Sequence, residues 1–200
     1  MKIVPTSLTG AFFQRLYEDC PDNSKCMLNV QFRMPPVIVE LVNMFYDGEL
    51  KTGKNCRHKR PIFLRNHLIF LDMKDVPEYR EETFRNENKT GPFNMKEAEA
   101  AASVIEKIRA YYTKRIVVIT PYKQQKYVLI DEFKKRHFED VWVNTVDAFQ
   151  GDEENIVIFC TTKAVQHTKY FSDKAGLNVA FSRAKNTLIF HGAGFAVCLF

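Results

Sequence analysis

Two arginines in this chain stand where short structured runs give way to polar residues. Arg33 closes Gln31-Phe32-Arg33 behind the extended run Leu28–Val30, and Arg183 follows Asn178 and Ser182 on a segment ending in Lys185. A planar guanidinium binds phosphate oxygens through two parallel hydrogen bonds, so paired arginines are chemistry for a phosphate ligand. Two further groups suit the same ligand. Thr120-Pro121-Tyr122 offers a hydroxyl and an aromatic ring behind Arg115–Ile119, and Gln150-Gly151-Asp152-Glu153 follows Val141–Thr145. Each piece alone reads as a surface arginine, a helix start or a loop; their order and spacing give them meaning together. Ligands of an open parallel sheet gather beyond the carboxyl ends of its strands, which predicts all four groups on one sheet edge.

The elements that must hold them follow from apolar periodicity. Phe12, Phe13, Leu16 and Tyr17 share one face at helical spacing and predict a short helix over Thr9–Asp19. Leu28–Gln31 reads as extended. Pro35-Pro36 then opens a helix from Pro36 to Tyr46, which Asp47-Gly48 stops. His67–Leu71 reads as a strand, and residues 72–92 read as acidic and turn-rich up to Gly91-Pro92. Asn94, with Glu97 three residues on, makes a capping-box pattern for a helix through Ala98, Ala101, Val104, Ile105 and Ile108. Alternation is regular beyond it. Arg115–Thr120, Val141–Val146, Asn155–Thr162 and Thr187–His191 read as strands, with helices at Lys123–Arg136 and Lys174–Ala184. Apolar strands alternating with long helices predict an α/β fold, a doubly wound parallel sheet with helices on both faces.

Composition sets the outer bounds. The 200 residues are 46% hydrophobic and 26% charged, enough apolar surface for one self-sufficient core and too much for a disordered chain. No apolar run approaches the roughly 20 residues of a membrane helix, so no membrane partner is expected. Five cysteines without a C-x-x-C pair, and no secretory leader, predict a reduced intracellular protein. Only Cys56 and His58 lie close together, and no metal site is expected. A net charge of +5 permits a polyanion partner without demanding one.

Four segments resemble the motifs of superfamily 1 helicases, in the family's order. Leu28-Asn29-Val30-Gln31-Phe32-Arg33-Met34-Pro35 is similar to the Q-Y-R-M-H-P motif, and Val117–Tyr122 to the following V-V-I-T-P-Y motif. Val143–Glu153 resembles V-x-T-V-D-x-F-Q-G-x-E, and Leu177–Lys185 resembles the final L-N-V-A-x-[ST]-R-A-[KR] motif. The nearest subgroup is the one that includes the nonsense-mediated-decay helicase, and the likeness runs from about Gly10 to Gly192. It implies a RecA-like domain of the P-loop NTPase type, the second of two that clasp ATP between them. By this likeness, residues 1–27 are the tail of the inter-domain connection with its short helix. Residues 28–192 are the second motor domain, and 193–200 an apolar, truncated end.

The resemblance also assigns roles. Phe32 matches the ring that stacks on adenine, usually a Tyr, and Arg33 and Arg183 match the arginines that reach the γ-phosphate. Glu153 matches the carboxylate on the ribose side, and Gly151 belongs to the same nucleotide-binding set, which Gln31 either joins or supports by shaping the strand end. Thr120, Pro121, Tyr122 and Thr145 match positions along the track for single-stranded RNA or DNA, where contacts to backbone read no sequence. Basic residues from Lys51 to Arg65 either extend that track or form a solvated face. Two departures matter. Pro35 replaces the family's His, and the chain has no G-x-x-x-x-G-K-[ST] loop to cradle phosphates and Mg²⁺. Asp131-Glu132 sits inside a predicted helix and cannot serve as the acidic Mg²⁺ motif. ATP with Mg²⁺ is therefore expected to need a first RecA-like domain, in cis or on a partner chain. Two functions stay open at this point: the second motor domain of an ATP-dependent helicase or translocase, inactive alone, and a stand-alone non-catalytic module that binds single strands or a partner helicase.

Overall fold

The computed structural model describes residues 8–54, 56, 64, 66–79, 82–86, 89–162 and 174–192. Arg57, Lys59, Arg60 and Arg65 of the basic stretch, and the apolar end 193–200, lie outside these residues. The chain opens with α1 (Leu8–Asp19) and reaches β1 (Val30–Gln31), α2 (Pro36–Val42) and β2 (Lys51–Thr52). It continues through β3 (Leu68–Asp72), β4 (Glu82–Asn86), β5 (Lys89–Phe93), α3 (Met95–Arg109), β6 (Val117–Thr120) and α4 (Lys123–Lys135). The last elements are β7 (Trp142–Thr145), β8 (Glu154–Cys160), α5 (Lys174–Phe181) and β9 (Ala184–Gly192).

Five strands form one sheet in the order β3-β9-β8-β6-β7, every pair parallel. Parallel strands need crossovers, and the crossovers cover both faces. Val117, Ile119, Val157, Phe159, Leu188 and Phe190 point to the face packed by α2 and α5. Their alternate neighbours Ile116, Val118, Ile156, Ile158 and Ile189 point to the face packed by α3 and α4. The doubly wound reading stands: one parallel sheet carries helices on both faces. On the first face Phe181 anchors the end of α5: its ring lies 4.7 Å from Phe190 and 5.9 Å from both Phe159 and Phe45. Truncating such a ring typically costs about 3–5 kcal/mol. That packing fixes where the chain leaves α5, and so where Ser182 and Arg183 stand.

Several sequence expectations need correction. The run at Leu28–Gln31 does not join the main sheet; β1 instead pairs in parallel with β2, which has too few residues to show a pattern. Residues 72–92 are more than turns, because β4 and β5 form an antiparallel hairpin that takes in Gly91 and Pro92. The helix from Pro36 ends at Val42 and finishes as a 3₁₀ turn over Asn43–Phe45. The last helix stops at Phe181, and β9 starts at Ala184, earlier than its apolar run suggests. On α1, Phe12, Leu16 and Tyr17 are exposed, so the predicted apolar face is not a core face.

Candidate functional site

The predicted groups do not share one edge. Glu154 and Ala184 are the first register partners of β8 and β9, so Glu153 and Arg183, one residue earlier, lie at the amino ends of those strands. Thr120 and Thr145 end β6 and β7 and lie at the carboxyl ends. The segment Val146–Glu153 crosses from one edge to the other, pinned by buried Phe149, whose ring meets Trp142 edge-on at 5.1 Å. The reading failed because it placed every residue after a strand at that strand's end, although this segment runs the length of the sheet.

The amino edge gathers charge. Arg33 Nε donates to Glu153 Oε2 at 2.5 Å and its Nη1 to the Ser182 carbonyl at 3.0 Å. Lys185 reaches the other carboxylate oxygen at 2.7 Å. The Lys185 hydrogen bond, then Arg33, hold the Glu153 carboxyl below its ordinary pKa. Arg183 donates to the carbonyls of Val179 at 2.9 Å and Asp152 at 3.2 Å, and to the Ser182 hydroxyl at 3.1 Å. Burial, and then the charge of Arg33, pull its pKa below the usual guanidinium value. Arg33 and Lys185 thus pair with Glu153, while Arg183, held by neighbouring carbonyls, stands near enough for its charge and that of Arg33 to oppose each other. A polyanion would relieve that repulsion.

Phe32 stands beside this cluster with two-thirds of its surface exposed (67%). Its ring lies over Gly53, where an added Cβ would come within 2.1 Å of the ring edge. Glycine there lets the ring lie flat, presenting its outer face. Gln31, which the resemblance places among the nucleotide contacts or in support of them, is engaged locally. Its carbonyl accepts from the Arg33 and Met34 amides, both at 2.7 Å, and its amide donates to the Met34 carbonyl at 2.9 Å and the Thr52 hydroxyl at 3.1 Å. Gln31 therefore shapes the Phe32-Arg33 turn. Gly151 is exposed at φ +97°, with no atom near the space a side chain would take.

The carboxyl edge is closed on itself. Thr120 is fully buried and its hydroxyl pairs with that of Thr162 at 3.0 Å, so its side chain supports the Pro121-Tyr122 turn and does not face solvent. Pro121, Tyr122 and Thr145 are half-buried and line the rim, with Lys126 bound to Asn144 at 2.9 Å next to them. Behind them lies Glu97, at 0% exposure. Asn94 caps α3 by accepting from the Glu97 amide at 3.0 Å, which is half of a capping box. The other half is not made: Gln125 takes the Asn94 amide at 2.6 Å, and the Glu97 carboxylate points to the end of β8. It accepts from the Thr162 amide at 2.9 and 3.0 Å, the Gln125 amide at 3.2 Å, the Thr161 hydroxyl at 3.3 Å and the Tyr79 hydroxyl at 3.4 Å. Burial raises its pKa to about 8 in spite of these donors. Thr162 has φ +69°, a conformation that costs a β-branched residue about 1–3 kcal/mol. Sequence reading assigned Glu97 to an ordinary cap through its spacing from Asn94, and missed Gln125 and Thr162. Among the described residues, no group of three His, Cys, Asp or Glu side chains could hold a metal ion, and no helix is long and apolar enough to cross a membrane.

A family model described as AAA domain matches residues 8–194. Among curated proteins, Helicase sen1 of Schizosaccharomyces pombe is 30% identical over 96% of this chain and 12% of its own length. An uncharacterized ATP-dependent helicase of Methanocaldococcus jannaschii is 31% identical over 92% of this chain and 29% of its own. A regulator of nonsense transcripts 1 homolog of Neurospora crassa is 30% identical over 98% of this chain and 19% of its own. The chain thus spans less than a third of each of these relatives.

Proposed function

The chain belongs to this AAA domain family as the second RecA-like domain of a superfamily 1 helicase of the nonsense-mediated-decay type, and from that premise we propose that residues 28–192 supply one half of an ATP-driven motor on single-stranded RNA or DNA. The other half is a P-loop-bearing first RecA-like domain, in cis or on a partner chain, which would hold the phosphates and Mg²⁺. Bound Mg²⁺·ATP would supply the phosphoryl group whose transfer drives the motor. Phe32 offers its open face to the adenine. Arg33 and Arg183 neutralise the charge that develops on the phosphates, an effect worth roughly 10³–10⁵ in rate for arginines in this role. Glu153 holds Arg33 in place and lies at the ribose side. Tyr122 and Thr145, on the opposite edge, line the strand's path, so nucleotide and nucleic acid meet the domain at two ends of one sheet.

The observation that supports this reading most is the gathering of Arg33 and Lys185 on the Glu153 carboxylate, with Arg183 close to Arg33, beside an exposed ring. A structural ion pair needs no second and third cation, whereas a triphosphate does. The test joins this chain to a P-loop-bearing RecA-like domain and follows phosphate release with and without single-stranded RNA or DNA. Strand-stimulated turnover is expected, and Arg183→Ala should lower it about 10³-fold or more while circular dichroism keeps the folded signature. An unchanged rate in that variant would discard the assignment.

A further inference from the structure

The buried carboxylate of Glu97 belongs to neither the nucleotide cluster nor the rim of the strand's path. An ionisable group at 0% exposure is expensive, and a cap on α3 does not need one, because Asn94 already serves it. What the carboxylate does hold is Thr162. Both its oxygens accept from the Thr162 amide, which keeps that residue in the left-handed conformation. Thr162 then passes the constraint on. Its hydroxyl meets that of Thr120 at 3.0 Å, and Thr120 begins the Pro121-Tyr122 turn while its carbonyl accepts from the Val146 amide at 3.1 Å, directly after Thr145. Gln125 ties the first turn of α4 to the same carboxylate at 3.2 Å. One buried group therefore sets the ends of β6 and β8 and the starts of α3 and α4.

We propose that Glu97, in its ionised form, is a positioning residue for the nucleic-acid track, acting through Thr162 and Thr120 on the Tyr122 turn and the Thr145 rim. This rests on the functional reading above. Four donors surround it, and two of them are N–H groups that cannot accept, so protonation has to turn the Thr161 or Tyr79 hydroxyl around and alter the set. The titratable groups packed against it are Tyr79 and Cys160. Burial raises both, so they stay protonated while Glu97 ionises. Burial of Glu97 itself brings that ionisation into the neutral range. Strand binding should accordingly strengthen as pH rises through about 8, a dependence that a merely structural side chain would not impose.

The experiment measures fluorescence anisotropy of labelled oligo-U and oligo-dT with this chain at low salt, from pH 6 to pH 9.5. Wild type should gain about tenfold in affinity across the range. Glu97→Gln should bind about tenfold more weakly at pH 9 and show no inflection. Tyr79→Phe keeps the shape of the site and removes one donor to the carboxylate, so its inflection should move to higher pH. That gentler variant decides the matter should Glu97→Gln fail to fold. If wild type binds while all three proteins share one pH profile, the role of Glu97 is overturned and the motor reading stands. If wild type binds neither oligonucleotide, both fall.

Discussion

The two edges of this sheet solve opposite problems with the same residue types. At the amino edge, Glu153 is half-exposed and faces Arg33 and Lys185, with Arg183 crowding in; cations exceed anions and the cluster stays open. At the carboxyl edge, Glu97 is sealed in and surrounded by neutral donors, with every oxygen engaged. The first edge is unfinished without an added anion, and the second is complete but costly. One carboxylate is stabilised by charge and the other tolerates burial for the sake of geometry. Their pKa values accordingly move in opposite directions.

The sharpest way to break this contrast is to truncate both carboxylates. Glu97→Ala leaves several buried donors without an acceptor and should lower unfolding free energy by about 3 kcal/mol. Glu153→Ala, in a half-exposed ion pair, should change it by no more than about 1 kcal/mol. Paired urea titrations decide this, and equal losses would erase the distinction.

The next effect is a pH profile. Glu97 is raised from 4.5 to about 8, so its share of stability is present below pH 4.5 and lost as pH climbs to about 8. Buried His191 is lowered from 6.5 to about 4, so its share is present above pH 6.5 and lost as pH falls toward 4. The two slopes oppose each other between about pH 4.5 and 6.5, where stability should be nearly flat. Above about pH 6.5 only Glu97 remains, and stability should fall by about 1.4 kcal/mol per pH unit until about pH 8. Glu97→Gln should abolish that decline, as urea midpoints across pH would reveal.

At the open edge the expected effects are smaller and concern ligand more than fold. Gly53→Ala pushes a methyl group into the Phe32 ring and should weaken adenine-nucleotide binding about fivefold, equivalent to about 1 kcal/mol of lost stacking, with melting unchanged. Isothermal titration of the protein joined to its P-loop partner would measure it. Smallest of all, Glu153→Gln should shift stability by a few tenths of a kcal/mol at low salt and by nothing measurable at 1 M salt.

Most of the main sheet was legible in the chain, because β6, β8 and β9 are buried on both faces and their apolar runs admit few other readings. The short ribbon of β1 and β2 was not, since two-residue strands paired 21 positions apart leave no periodic trace. The β4–β5 hairpin hid in polar sequence that carries no apolar alternation. At the site, the motif residues of the amino edge were all named. Their meeting was a different matter: Arg33 and Glu153 lie 120 positions apart and join through a crossing segment that spacing cannot orient. Glu97 was seen and assigned to a cap, because the local rule ends at the helix and its real partners, Thr161 and Thr162, arrive from another strand.

The strand order has a consequence in time as well as in space. β9, the last strand among the described residues, is not at the margin; it lies between β3 and β8, joining Leu68 to Leu188 in register. Until residues 184–192 are synthesised, β3 has no partner in the main sheet, and β8 lacks one side. Folding must therefore close its longest loops last, which is slow by nature and leaves apolar strand edges open in the meantime. β6, β7 and β8 can pair before β9 arrives, whereas β3 and the seat of Phe190 against Phe181 wait for it, so the sheet is completed late.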